Sequence, residues 1–242
     1  MAALKAGWPT ISPEYPDVEM TFFAGSAQAM ESLELDGNAL VATTDALRKR
    51  LKTTSSGLAS IANDYDAYVI CGLGLNGQAA GQVHRILRAG KKGSELSPDY
   101  QNKELPAALA EAVGRVKAIR ILDMLRRITD AKILLIAQPL RAESDVPAEN
   151  APSRGMRWIL SVFHSACEQL AKAHNATFMP QPLETLSDAS VATKAKFLPS
   201  QARLSPDESR EDRAHMNGEY GAIVLRHALD VLATAPKQDA PR

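Results

Sequence analysis

Apolar residues form two near-continuous runs along the chain, and each run predicts a strand that is covered on both faces. The runs are Tyr65–Gly72 and Lys132–Ala137. Buried strands of this kind are typical of parallel sheets, because helices cover both faces of such sheets. Shorter strand candidates, each bounded by turn residues, are 18–24, 38–42 and 176–179.

Between these strands the apolar residues follow helical spacing. Thr44 can cap one helix, with Asp45 in its first turn, and Pro106 suits the first turn of another. The predicted helices are 2–7, 44–51, 78–89, 106–128, 155–173 and 217–234. An irregular stretch of more than thirty residues follows Pro180, and loops of that length are usually functional or mobile.

The alternation of strands and helices predicts an α/β fold, with a parallel sheet and helices on both of its faces. Ligands of such sheets bind outside the carboxyl ends of the strands. Three segments should lie there: Gly25-Ser26, Gly72–Asn76 and Gln138-Pro139.

Composition narrows the class of protein. The chain has 242 residues, of which 45% are hydrophobic, and its 28 Lys and Arg balance 28 Asp and Glu. We expect one domain over residues 1–234 and a disordered tail over 235–242. Zero net charge gives no electrostatic reason to expect nucleic acid or a membrane as partner. The first residues contain no apolar core of signal-peptide length, so we expect a cytoplasmic protein.

A candidate acid–base pair lies before the last helix. Asp212 precedes His215 by three residues. A carboxylate at this spacing can fix the tautomer of the imidazole and stabilise its protonated form, as a general base requires. The same tetrapeptide also fits a solvated surface loop.

A glycine-rich turn follows the first buried strand, with the sequence Gly72-Leu-Gly-Leu-Asn76-Gly77. Glycines allow the backbone to approach a ligand, and the Asn76 amide could donate to an oxyanion. Asn76 could instead be the N-cap of the next helix. A phosphate cradle is a third interpretation, although the segment lacks the lysine of a P-loop.

Ser26 is the remaining candidate nucleophile, because many α/β hydrolases hold a serine between a strand and a helix. The alternative for Ser26 is an ordinary turn or cap. Cys71 and Cys167 are interpreted as buried apolar residues, and they are too few for a disulfide scaffold or a four-cysteine metal site. Four other histidines have no assigned role: His84, His164, His174 and His227.

In this order the segments resemble the SGNH/GDSL hydrolase superfamily, whose members share a three-layer α/β/α, flavodoxin-like sheet. The segment 212–221 is similar to the family's D-x-x-H block, and 65–76 is similar to the block that presents an oxyanion asparagine. Residues 22–25 resemble the block of the oxyanion glycine. The resemblance implies His215 as base, Asp212 as its orienting group, and Asn76 with the Gly25 N–H as oxyanion donors.

The nucleophile is the point of departure from the family. Bacterial relatives hold it in a Gly-Asn-Ser-His-like segment that runs into a helix similar to Ala2–Trp8. In one register this block and its strand precede Met1 or have been lost, so that the first strand is missing or rearranged. In the other register, residues 18–24 form the first strand and Ser26 is the nucleophile. We favour the first register.

The resulting hypothesis is a serine esterase or acyl hydrolase that acts on a small or carbohydrate-linked acyl ester, with impaired activity if the nucleophile block is absent. No cofactor and no metal are expected. Two alternatives stay open: a non-catalytic binding protein on a hydrolase scaffold, and a flavodoxin-like binder of phosphate or a nucleotide at residues 72–77. The sequence gives no oligomeric state.

Overall fold

The computed structural model describes residues 1–89, 97–143, 154–187, 191–198 and 216–234. In these residues the strands are β1 (Leu33–Asp36), β2 (Ala39–Ala42), β3 (Ser60–Ala62), β4 (Ala67–Cys71), β5 (Lys132–Ile136) and β6 (Thr177–Met179). The helices are α1 (Ala2–Ile11), α2 (Asp45–Thr54), α3 (Gly77–Arg88), α4 (Leu105–Gly114), α5 (Lys117–Arg126), α6 (Arg154–Ala173) and α7 (Gly218–Thr234).

A three-stranded parallel sheet forms in the order β4-β5-β6. The register pairs Val69 with Leu134, and Leu134 in turn with Thr177. The two long apolar runs and the short run at 176–179 are thus confirmed as strands. The last four residues of β5 are all buried, as a near-continuous apolar run in a parallel sheet predicts.

The two faces of β5 belong to two separate apolar clusters. Ile133 and Leu135 lie in a cluster with residues of α3, α4, α5 and α6. Leu134 and Ile136 lie in a second cluster with residues of α1 and α7. Because successive side chains of a strand point to opposite faces, helices flank this sheet on both sides. The chain is a mixed α/β protein.

Helices α1 and α7 pack unusually close together, and glycines allow the approach. A Cβ at Gly221 would overlap the Ala3 carbonyl group, and a Cβ at Gly7 would overlap the backbone of Ala222. Beyond the crossing, the Arg226 guanidinium pairs with the Glu14 carboxylate at 2.5 Å. The contact between these helices therefore depends on the absence of side chains.

A second, antiparallel sheet has the order β1-β2-β3. Its hairpin turns at Gly37-Asn38, where Gly37 has a φ of 55°. The strand predicted at 38–42 is confirmed, but its antiparallel partner β1 was not predicted. The Thr44 hydroxyl accepts a hydrogen bond from the Leu47 N–H, so the predicted N-cap of α2 is also confirmed.

The strand predicted at residues 18–24 is wrong, because these residues form neither a strand nor a helix. Two of their apolar side chains still pack in the core. Phe22 is buried in the cluster of α1 and α7, and Phe23 packs against the cluster on the other face of the parallel sheet. The Ala24 N–H donates to the Thr54 hydroxyl at 3.0 Å. This segment therefore fills space between layers without joining a ladder.

The single helix predicted at 106–128 is two helices, α4 and α5. Val116 is extended, with a φ of −76° and a ψ of 155°. At the break, the Ala118 N–H donates to the Leu73 carbonyl at 3.1 Å. Apolar spacing continues through the break because both helices face the same cluster, and for this reason the sequence pattern does not reveal it.

Of the helices in the described ranges, none has the length and apolar character that crossing a bilayer requires.

Candidate active site

The turn that follows β4 has a strained backbone. Gly72, Leu73 and Gly74 have φ values of 74°, 53° and 98°, and a left-handed conformation is unfavourable for leucine. Backbone hydrogen bonds fix the turn at both ends: the Gly72 N–H donates to Ile136, and the Leu75 carbonyl accepts from Gln138. Strain that the surroundings hold in place is common at functional sites.

Asn76 ends this turn and is the N-cap of α3. Its side-chain oxygen accepts from the Gln78 N–H at 2.9 Å. Among the described residues, no acceptor binds the two N–H bonds of the same amide. The cap interpretation is therefore confirmed, and it leaves the donor half of the Asn76 side chain available to a ligand.

The backbone amides of the turn argue against a phosphate cradle. The Asn76 N–H donates to Gly74 at 2.7 Å, and the Ala79 N–H donates to the Asn76 carbonyl at 3.0 Å. The Gln78 N–H is bound by the Asn76 side chain. Three of the four amides at 76–79 are thus occupied, whereas a phosphate site needs several free N–H groups directed at the ligand.

Asp212 and His215 lie outside the described residues, but the chain immediately after them is described. Met216 is buried in the same cluster as Ile136 and Met179, the last residues of β5 and β6. Asn217 caps α7 by accepting from the Tyr220 N–H at 3.0 Å. The start of α7 therefore belongs to the apolar cluster on this face of the sheet.

Tyr220, in the first turn of α7, relates this region to β4. Burial raises the pKa of its hydroxyl, and the nearby thiol of Cys71, the last residue of β4, raises it further. Its ring packs edge-on against Phe197 at 5.8 Å between centroids. The first turn of α7 thus lies beside the end of β4, five residues before Asn76.

No described contact joins Gly25 or Ser26 to the turn that ends at Asn76. A Cβ at Gly25 would meet the side chains of Met30 and Leu47 at 3.0 and 3.1 Å. The exposed Ser26 hydroxyl accepts from the Ala29 N–H at 3.1 Å. Ser26 therefore acts as a turn cap, and the strand that should have presented it is absent. The oxyanion role of Gly25 stays a prediction.

A cleft of about 620 Å³ opens at the carboxyl ends of the parallel strands. It extends from Gly77, at the start of α3, to the segment 180–186 beyond β6, and α6 forms one wall. Clefts in this volume range, roughly 300–1,000 Å³, hold small molecules in proteins. The sequence argument placed ligands at this edge of the sheet, and a cleft is found there.

Two histidines in the cleft were missed by the sequence analysis. His227 lies 2.6 Å from the Glu184 carboxylate. Burial alone would raise the pKa of Glu184, but hydrogen bonds from its own backbone N–H and from His227 lower it. No spacing rule relates Glu184 to a residue forty-three positions later, so the fold alone reveals this pair.

His164, the second of these histidines, lines the cleft from α6. Burial lowers the pKa of its imidazole, and the Glu168 charge opposes this effect. Its ring lies 5.8 Å from the rings of both Phe163 and Phe178. His164 is therefore a neutral, mainly apolar part of the wall near neutral pH.

Within the described ranges, no group of three or more His, Cys, Asp or Glu side chains could hold a metal ion. Comparisons of the chain with protein-family models, with curated proteins and with solved structures returned no match. A proposal of function therefore relies on the geometry of this chain and on the motifs in its sequence.

Proposed function

We propose that the protein is a serine esterase or acyl transferase of the SGNH/GDSL type, built on a three-layer, flavodoxin-like α/β/α arrangement. One observation carries the proposal. Met216, which follows His215 directly, is buried with the last residues of β5 and β6, and Asn76 lies just beyond the end of β4. The first turn of α7, which begins three residues after His215, lies near the end of β4, and this supports a common site for His215 and Asn76.

In the proposed reaction a serine hydroxyl attacks the ester carbonyl while His215 takes its proton. Asp212 orients the imidazole, and the Asn76 side-chain N–H donates to the oxyanion. His215 then returns the proton to the leaving alcohol, and water or an acceptor alcohol releases the acyl group. The free donor half of the Asn76 amide supports this role, because its oxygen is already used by the helix cap.

The experiment compares hydrolysis of p-nitrophenyl acetate by four proteins: the wild type and the variants His215→Ala, His174→Ala and Asn76→Asp. His174 is a matched control, since it also pairs with an aspartate, Asp123, at 2.9 Å, but it lies at the amino end of β6. We expect His215→Ala to lower kcat by several orders of magnitude, as loss of a catalytic base does. His174→Ala should retain activity.

Asn76→Asp separates capping from catalysis. Aspartate is as good an N-cap as asparagine, so the melting temperature should be unchanged. It has no N–H to donate, however, and kcat should fall on the order of a hundredfold or more. Full activity in Asn76→Asp or in His215→Ala would reject the proposal. No hydrolysis by the wild type would reject an active esterase in this chain, which is the result expected if the nucleophile block is absent.

A further inference from the structure

The cleft begins one residue beyond the proposed oxyanion donor. Gly77 follows Asn76 directly and is part of the cleft wall. A Cβ at Gly77 would lie 2.7 Å from the Leu160 side chain and 3.3 Å from that of Leu140. The Asn76 cap is thus joined directly to the wall of this cleft.

The walls of the cleft are mainly apolar. They include the side chains of Leu140, Leu160, Phe163, Met179, Leu183 and Leu186. Of these, Leu183 is 79% exposed, so its side chain is accessible to a ligand in the cleft.

Three polar side chains of the cleft wall already have partners in the protein. The Gln181 side chain accepts from the Leu140 N–H and donates to the hydroxyls of Thr185 and Thr193. Glu184 is paired with His227. The remaining polar side chains of the wall are Gln138, Arg157, Ser161 and His164, and apolar groups provide most of the surface that a ligand would contact.

We propose that this cleft binds the apolar acyl chain of the ester, so that the preferred substrates carry medium-length acyl groups rather than acetyl. This inference rests on the proposed function, because it takes the carbonyl to lie at Asn76. A volume of about 620 Å³ is far more than an acetyl group fills and is ample for a chain of about eight carbons, given that pockets of roughly 300–1,000 Å³ hold drug-sized ligands.

The test measures binding of octanoate, butyrate and acetate to the full chain by isothermal titration calorimetry, with no need for hydrolysis. Each buried methylene should tighten binding up to about fourfold. Octanoate should therefore bind on the order of a hundredfold more tightly than butyrate. Equal affinity for octanoate and butyrate would overturn the inference.

Two tryptophan variants locate the binding site. Ser161 is exposed and lines the cleft from α6, so Ser161→Trp should fill the cleft and lower octanoate affinity at least tenfold. Ser165 is exposed one turn further along the same helix and does not line the cleft, so Ser165→Trp should bind as the wild type does. Octanoate binding that survives Ser161→Trp would overturn the inference.

A milder pair of variants covers the case in which the tryptophans disturb folding. Leu183→Ala removes an exposed cleft side chain and should weaken octanoate binding severalfold. Leu58→Ala removes a leucine that is 47% exposed and outside the cleft, and it should have no effect. Equal effects of the two would overturn the inference.

The two proposals can fail separately. Octanoate binding that Ser161→Trp abolishes, in a protein that hydrolyses no ester, would leave the cleft assignment standing and reject the esterase. Hydrolysis of acetyl esters without chain-length dependence would leave the esterase proposal standing and reject the cleft assignment.

Discussion

Substitution of Gly221 by alanine tests whether the contact between α1 and α7 requires a bare backbone. The added Cβ would overlap the Ala3 carbonyl group and lie 2.9 Å from the Leu4 nitrogen. A side chain could rotate away from such a contact, but a helix backbone has to move as a whole. Helix α1 would be pushed off the surface that buries Leu4 and Ile11.

The magnitude follows from two opposing effects. Alanine in place of glycine favours a helix by roughly 1 kcal/mol. Overpacking costs about 1–3 kcal/mol when soft side chains can adjust, and a backbone obstacle places this case at the upper end or beyond. The net loss should be about 2 kcal/mol, which corresponds to a fall in Tm of roughly 4–8 °C for a chain of this size.

The assay is thermal unfolding followed by circular dichroism, with Gly114→Ala as the control. Gly114 is also in a helix, but a Cβ there has no neighbour within 4 Å, so this variant should unfold at the wild-type temperature or slightly above it. Fluorescence of Trp8, in α1, should also shift to the red in Gly221→Ala as the helix detaches. A Tm for Gly221→Ala equal to that of Gly114→Ala would refute the reasoning.

Three further predictions concern side chains that are buried or partly buried. Arg126 donates to four backbone carbonyls, those of Thr129, Ala131, His174 and Asn175. Arg126→Met should therefore lower the free energy of unfolding, measured by urea titration, by about 2–4 kcal/mol. A loss under about 1 kcal/mol would contradict this prediction. Because burial lowers the pKa of folded His164, the unfolded chain takes up a proton first as the pH falls through 6.5, and stability decreases there. His164→Phe should lessen the fall in Tm between about pH 7.5 and about pH 5.5, and an unchanged fall would count against it. Burial raises the pKa of Cys167 to about 12, and burial also raises the pKa of Cys71. Both thiols should therefore react slowly with Ellman's reagent at about pH 8 until denaturant is added, and rapid reaction of the native protein would contradict this prediction.

The sequence determined those elements whose side chains carry the structural information themselves. The runs at β4 and β5 are apolar on both faces, which leaves a buried parallel strand as the favoured structure. Thr44 and Asn76 are caps because their short polar side chains satisfy free N–H groups at a helix start. The position of the cleft could also be predicted from the sequence, since parallel strands present their carboxyl ends at one edge of the sheet.

Tertiary structure decided the features that depend on partners distant in the chain. Residues 18–24 have the composition of a strand, yet a strand needs a neighbour for its backbone, and the Thr54 hydroxyl takes the Ala24 N–H instead. The break between α4 and α5 depends on the Leu73 carbonyl. His227 meets Glu184, and α1 meets Gly221, through contacts between segments far apart in sequence. Periodicity and spacing describe local preferences, whereas these contacts exist only after the chain has closed on itself.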